Sequence, residues 1–166
     1  MPKSKDIIVL VGPMGVGKST VGRKLAKMLG LKFIDTDSVF VEEHGRISDF
    51  FEQHGEPRFR ELEEEALAKS LVSPAVVATG GGVILSPKNR AVLESVTVVY
   101  LSTDGKHIAS RLKSGARPLL KNGVEDWRRI YDSRKHLYEQ VADLEINTSG
   151  HPLNTTIAEI REKLEI

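Results

Sequence analysis

Gly12-Pro13-Met14-Gly15-Val16-Gly17-Lys18-Ser19-Thr20 fits the pattern G-x-x-x-x-G-K-[ST]. The pattern has a direct chemistry. Glycines let successive backbone N–H groups curl around phosphate oxygens. A helix starting near Lys18 turns its positive end on the same anion. Lys18 can reach the β- and γ-phosphates of a nucleotide, and the Ser19 hydroxyl can ligate Mg2+. The plainer alternative is a glycine-rich turn joining strand to helix.

Other residues can complete a phosphoryl transfer. In Asp35-Thr36-Asp37 two carboxylates stand two apart. One can face Mg2+ and its waters, the other an attacking hydroxyl; a solvated or helix-capping pair is the alternative. Arg60 follows the apolar Phe59, and Arg134 shares a helix face with Trp127, Ile130, Tyr131 and Tyr138. An arginine on an apolar-leaning face needs an anion, and guanidinium grips a carboxylate bidentately, so the two suit a small acidic substrate. Internal pairing with Glu63 or another carboxylate is the competing reading. Thr79-Gly80-Gly81-Gly82 allows a second close approach of backbone to a ligand, or simply a tight turn. Arg117 sits in the irregular stretch 114–123, which reads as a lid. From there it can close over a triphosphate, or it is a solvated loop charge.

The elements that must hold these groups alternate. Ile7–Val11 is a continuous apolar run, as expected of a strand buried on both faces of a parallel sheet. A helix is predicted over 18–29 with Gly30 as its stop, then a strand at 32–34 and a helix at 37–44 closed by Gly45. Ser48 is expected to cap a short helix ending near Gly55, and a further helix runs to about Leu71. Strands follow at 75–79, 97–101 and 144–146. Helices are expected from Pro87 to about Glu94, at 105–113, over 125–141 and through Ile157–Leu164. The alternation predicts an α/β three-layer domain on a parallel sheet, one domain over 1–166.

Composition narrows the function. The 166 residues carry a formal net charge of +1, with 28% charged and 40% apolar residues and no cysteine. Disulfides, thiolate metal sites and cysteine nucleophiles are excluded. A pI near 8.0 is too balanced for a dedicated nucleic-acid binder. No run reaches the length of a membrane span or secretory signal, so a cytoplasmic protein is expected, and the balanced charge favours a monomer. A switch GTPase would need D-x-x-G and N-K-x-D, and neither occurs. A large motor would need more chain and a strand ending in a magnesium-binding Asp; the strands at 75–79 and 97–101 run into Thr79-Gly80 and Leu101-Ser102. A small kinase with its own acceptor pocket remains.

Taken together the motifs resemble the shikimate kinase family over essentially the whole chain. They are G-P-M-G-V-G-K-S-T at 12–20, F-x-D-x-D at 33–37, G-E-x-x-F-R-x-x-E at 55–63, T-G-G-G at 79–82, R-P-L-L at 117–120 and R-x-x-L-Y at 134–138. The resemblance implies ATP-dependent phosphorylation of the 3-hydroxyl of shikimate in aromatic amino-acid biosynthesis. It implies a P-loop fold like that of nucleoside-monophosphate kinases, with five parallel strands in order 2-3-1-4-5 and a mobile lid. Asp37 would orient the nucleophile, Arg60 and Arg134 would clamp the carboxylate, and Gly80, Gly81 and Gly82 would complete the pocket. Glu63 would hold an arginine or hydroxyl, and Phe51 and Phe59 would wall the ring. ATP would lie on Gly15, Val16, Gly17, Lys18, Ser19 and Thr20, with Arg117 acting from the lid and Arg111 and His151 near the adenine. Mg2+ would bind Ser19 directly and Asp35 through water. The chain departs from many members at His136, where R-x-P-L-Y has proline, a change expected to alter a local helix start. A gluconate-type kinase would share 12–20 but not 33–37, 79–82 and 117–120 together. A degenerate nucleotide-binding module would have lost Lys18, Asp37 or Arg117, and all three are present.

Overall fold

A computed structural model describes residues 4–112 and 122–166. Five strands, β1 (Ser4–Val11), β2 (Lys32–Asp35), β3 (Ala75–Ala78), β4 (Val96–Ser102) and β5 (Leu144–Asn147), form one sheet in order β2-β3-β1-β4-β5. Every neighbouring pair is parallel, as the apolar strands required. Side chains alternate between faces with a period of two, so the run in β1 divides itself. Val9 and Val11 join Val77, Val98 and Tyr100 on one face, while Ile8 and Leu10 join Val76, Val99 and Leu101 on the other.

Helices cover both faces. α1 (Lys18–Leu29) and α7 (Leu153–Leu164) bury Val21, Leu25, Ile157 and Ile160 against the second face. α4 (Pro87–Leu93), the short α5 (Ile108–Arg111) and α6 (Val124–Val141) cover the first with Leu93, Ile108, Trp127, Tyr131 and Tyr138. α2 (Thr36–His44) and the first part of α3 (Ile47–Ser70) share a separate cluster of Phe40, Phe50, Phe59 and Leu62, while Leu67 of α3 joins the first face. Each of the four cluster residues is at most 9% exposed, so they form a second, smaller core.

Local chemistry sets the boundaries. Gly17 opens α1 at φ 102°, and Gly30 closes it with its N–H on the Ala26 and Lys27 carbonyls. Ser86 caps α4, its hydroxyl accepting from Asn89 N–H, with Pro87 in the first turn. Three expectations, at Ser48, over 105–113 and at His136, need correction. α3 starts at Ile47 behind Arg46, which makes no side-chain cap, so Ser48 lies inside the first turn. The break expected near Gly55 is there, at φ 79° and ψ 169°, and helix resumes beyond it. The helix expected over 105–113, of which residue 113 lies outside the described residues, is Ile108–Arg111, and it starts late because Thr103–His107 turn back on side-chain bonds: Thr103 accepts from Gly105 N–H and Asp104 from Lys106 N–H. His136 lies deep inside α6 rather than at a helix start, and its N–H belongs to an interior turn. No helix among the described residues is long and apolar enough to cross a membrane.

Candidate active site

Sheet register builds the site. Asp35, Ala78 and Leu10 stand level on the adjacent strands β2, β3 and β1. Because the strands are parallel, all three chains leave the sheet at the same edge. Asp35-Thr36-Asp37, Thr79–Gly82 and the glycine loop 12–17 therefore open side by side, at the carboxyl ends where α/β sheets bind ligands. Thr79 fastens the middle one: its hydroxyl donates to the Leu10 carbonyl at 2.8 Å.

On the phosphate side, Gly15 and Gly17 have φ of 79° and 102°, values that a side chain would strain. Lys18 is buried and folds back, its Nζ donating to the Gly12 and Pro13 carbonyls at 2.7 and 2.9 Å. Ser19 Oγ donates to Asp35 Oδ2 at 2.7 Å, while the other carboxylate oxygen of Asp35 accepts from Asp37 N–H at 2.9 Å and caps α2. Capping and a place beside Ser19 are thus both true of Asp35. A cavity of about 200 Å3 is lined by Lys18, Ser19, Asp35, Asp37 and Gly80–Gly81, among others. A second, of about 380 Å3, continues past Gly15, Val16, Gly17 and Thr20 to Thr148, His151, Leu153 and Thr156.

On the acceptor side the three glycines of 80–82 avoid positive φ, so conformational freedom is not their reason. Their reason is the room that their missing side chains leave. A Cβ at Gly80 would stand 2.9 Å from Asp37 Oδ1 and 3.1 Å from Glu63 Oε2. At Gly81 it would meet Met14 at 3.3 Å and Arg134 at 3.6 Å, and at Gly82 it would overlap the Arg60 guanidinium. Two carboxylates, two arginines and the phosphate loop thus converge on one turn of bare backbone. Its carbonyls are all engaged: Gly80 by Val83 N–H, Gly81 by the Tyr138 hydroxyl and Gly82 by Leu85 N–H. The turn's N–H groups add donors that a ligand can use.

Arg60 pairs with Glu63 at 3.0 Å and with Glu56 at 3.1 Å, so the internal pairing left open by the sequence is realised beside the pocket. Its guanidinium carbon also lies 5.1 Å from the Phe59 ring, and Phe51 packs against Phe59 at 4.8 Å. Arg134 is buried, 6% exposed. Burial drives the Glu63 carboxyl above its ordinary range; Arg60 and Arg134 oppose that, and the Asp37 charge adds to it. Tyr138 is pushed up to about 12, also by burial, with Arg134 opposing. Its hydroxyl stays protonated and donates.

Comparison with known proteins identifies the family. A family model described as shikimate kinase matches residues 14–165. The chain belongs to the shikimate kinase family. A shikimate kinase from Streptomyces coelicolor is 47% identical over 151 residues, 89% of this chain and 88% of that protein. The solved structure of Acinetobacter baumannii shikimate kinase in complex with shikimate superposes with a TM-score of 0.89 at 37% identity, covering 96% of this chain and 93% of that one. A gluconokinase from Sinorhizobium meliloti reaches a TM-score of 0.64 at 18% identity, covering 99% of this chain and 98% of its own; that likeness is of fold alone.

The structure brings together most residues that the family resemblance singled out. Asp37, Arg60, Glu63, Arg134 and Gly80–Gly82 share the acceptor side. Phe59 packs against Arg60 there and Phe51 against Phe59, while Gly15–Thr20 and His151 line the other side. Arg117 and residues 114–121 lie outside the described residues, as does the side chain of Arg111. Sequence reasoning missed Thr148, Leu153 and Thr156 beside His151, although Thr148 just beyond the end of β5 was a usable signal. It also missed that Tyr138 and Trp127 bond the two loops themselves.

Proposed function

We propose that this chain transfers the γ-phosphoryl group of ATP to the 3-hydroxyl of shikimate, giving shikimate 3-phosphate and ADP. The hydroxyl oxygen attacks the γ-phosphorus, the bond to the β–γ bridging oxygen breaks, and ADP leaves with that oxygen. Asp37 orients the hydroxyl and takes its proton. Arg60 and Arg134 bind the acceptor carboxylate, with Glu63 holding Arg60 and the N–H groups of the 80–82 turn completing the pocket. Phe51 and Phe59 face the ring. The Gly15–Thr20 backbone and Lys18 hold the phosphates, Lys18 by exchanging the Gly12 and Pro13 carbonyls for phosphate oxygens. Arg117 closes from the 114–123 lid, and His151 and Arg111 flank the base.

Ser19 Oγ and Asp35 Oδ2 are hard oxygen donors 2.7 Å apart on the phosphate side. They fit Mg2+, which keeps most of its ligands as water and phosphate. Consistent with that mode, no cluster of three or more His, Cys, Asp or Glu among the described residues could hold a metal. Bound there, Mg2+ would screen the charge shared between the β- and γ-phosphates. The near-neutral charge and the scattered placing of Met28, Val41, Val72 and Val124, the large apolar side chains exposed among the described residues, support a cytoplasmic monomer.

The convergence of Asp37, Glu63, Arg60 and Arg134 on one bare turn beside the phosphate loop carries this reading. A single neutral hydroxyl would not need two arginines; a hydroxy acid would. Coupled ADP release measured with shikimate, gluconate and other small hydroxy acids tests it. Shikimate-dependent turnover is expected; turnover with another acid and none with shikimate would refute it.

A further inference from the structure

One face of α6 carries Trp127, Tyr131, Arg134 and Tyr138, spaced to stack along about three turns. Two of them bond the two loops of the site. Trp127 Nε1 donates to the Met14 carbonyl at 2.7 Å, on the phosphate loop. The Tyr138 hydroxyl donates to the Gly81 carbonyl at 2.5 Å, on the acceptor turn. Met14 and Gly81 also face each other, since a Cβ at Gly81 would stand 3.3 Å from the Met14 side chain and 3.4 Å from its backbone nitrogen. The contacts therefore close a ring: Met14, Trp127, the helix, Tyr138, Gly81 and back to Met14. Both anchors are buried: Trp127 is 1% exposed and Tyr138 0%, and Tyr138 stacks on Tyr100 of β4.

We propose that Trp127 and Tyr138 are positioning residues: from one helix they hold the phosphate loop at Met14 and the acceptor turn at Gly81 at a fixed separation. The inference rests on the phosphoryl-transfer reading above. A trans peptide is planar, so fixing the Gly81 carbonyl also fixes the Gly82 N–H on its opposite side. Glycine lacks the side chain that would otherwise hold that plane, and the Tyr138 hydroxyl supplies the restraint. Transfer of a phosphoryl group depends on positioning more than on covalent help from the protein. A misplacement of about 1 Å costs on the order of 100-fold in rate.

Trp127 is the chain's single tryptophan, so its emission reports on the Met14 loop. Tyr138→Phe removes the hydroxyl and keeps the ring. With saturating ATP and shikimate, its kcat should fall about 10- to 100-fold, and its KM for shikimate should rise. Shikimate alone should shift Trp127 emission in the wild type and not in Tyr138→Phe. Trp127→Phe should raise the KM for ATP more than that for shikimate. Tyr131→Phe is the matched control. It deletes an equally buried hydroxyl from the same helix face, bonded to Tyr100 and Thr103 but to neither Met14 nor Gly81. It should lower the melting temperature and keep kcat near wild type. Wild-type kcat in Tyr138→Phe would overturn the proposal, as would losses of kcat that follow melting temperature equally in both tyrosine variants. A wild type inert toward shikimate would refute the acceptor instead, and the same comparison would then be made with the acid it does phosphorylate.

Discussion

The guanidinium of Arg60 occupies the space where a side chain on residue 82 would begin. A Cβ at Gly82 would stand 2.6 Å from both its central carbon and its second terminal nitrogen. The obstacle is the end of a flexible side chain rather than backbone, and Gly82 itself has an ordinary φ of −98°. The fold can therefore accept Gly82→Ala by moving Arg60, which takes the guanidinium away from Glu63 and the pocket. We expect a KM for shikimate at least about tenfold higher, the effect of roughly 1.4 kcal/mol, with the KM for ATP unchanged. The melting temperature should drop by no more than about 4 °C, the scale of 1 kcal/mol at this chain length. Steady-state kinetics and calorimetry check both; a wild-type KM for shikimate would remove Arg60 from acceptor binding.

The two arginines should differ when removed. Arg134→Ala deletes a buried cation facing the acceptor turn and should weaken shikimate binding by about 2–5 kcal/mol, the range for stripping one partner from an enclosed charge pair. Arg60→Ala should weaken binding on the same scale and also destabilise the free protein, because it leaves the buried Glu63 without its ion-pair partner. Arg134→Lys keeps the charge but loses the fork and should recover only part of the affinity. Titration calorimetry with shikimate reads all three; unchanged affinity in Arg134→Ala would refute the clamp.

Asp35 and Asp37 should separate cleanly as asparagines. Asn caps helices about as well as Asp, so Asp35→Asn should keep α2 and the melting temperature. Lacking the charge beside Ser19, it should need more Mg2+ for half-maximal activity. Asp37→Asn should lower kcat by about 100-fold or more, the range for losing a positioned base, at an unchanged Mg2+ requirement. A magnesium titration of activity in both variants tests the division; the reverse pattern would exchange their roles.

What the sequence disclosed about this site was local. The phosphate loop is one uninterrupted pattern, and the alternation of strands with helices from Ile7 to Ile146 shows the layered parallel sheet because its three inner strands, β1, β3 and β4, read as apolar runs. The Gly80–Gly82 cluster was visible too, but its reason was not: it lies in Asp37, Glu63, Met14, Arg134 and Arg60, brought in from α2, α3, the phosphate loop and α6. The bonds Trp127–Met14 and Tyr138–Gly81 join residues 113 and 57 apart, and no periodicity encodes such pairs. Ser48 misled because its type fits a cap while the cap position of α3 falls two residues earlier, at Arg46. At Arg60 the internal pairing is the reading that the structure realises, with Glu56 and Glu63 holding the guanidinium against Gly82.

Glu63 makes stability depend on pH in a predictable direction. Burial holds its carboxyl above its unfolded value, so the folded state prefers the proton. Below the unfolded carboxylate range both states are protonated and nothing is lost. As pH rises from there through the raised folded value, the unfolded state releases its proton first and the folded protein loses stability. The amide introduced by Glu63→Gln does not titrate. The melting temperature of that variant minus that of the wild type should therefore grow more positive from about pH 4 upward, levelling off once Glu63 is ionised in both states. Thermal melts of the two proteins across that range, at constant ionic strength, provide the test. A difference that moves the other way would mean that Arg60 and Arg134 outweigh desolvation and hold Glu63 ionised. In that case the carboxylate, and not burial, dominates the electrostatics of the acceptor pocket.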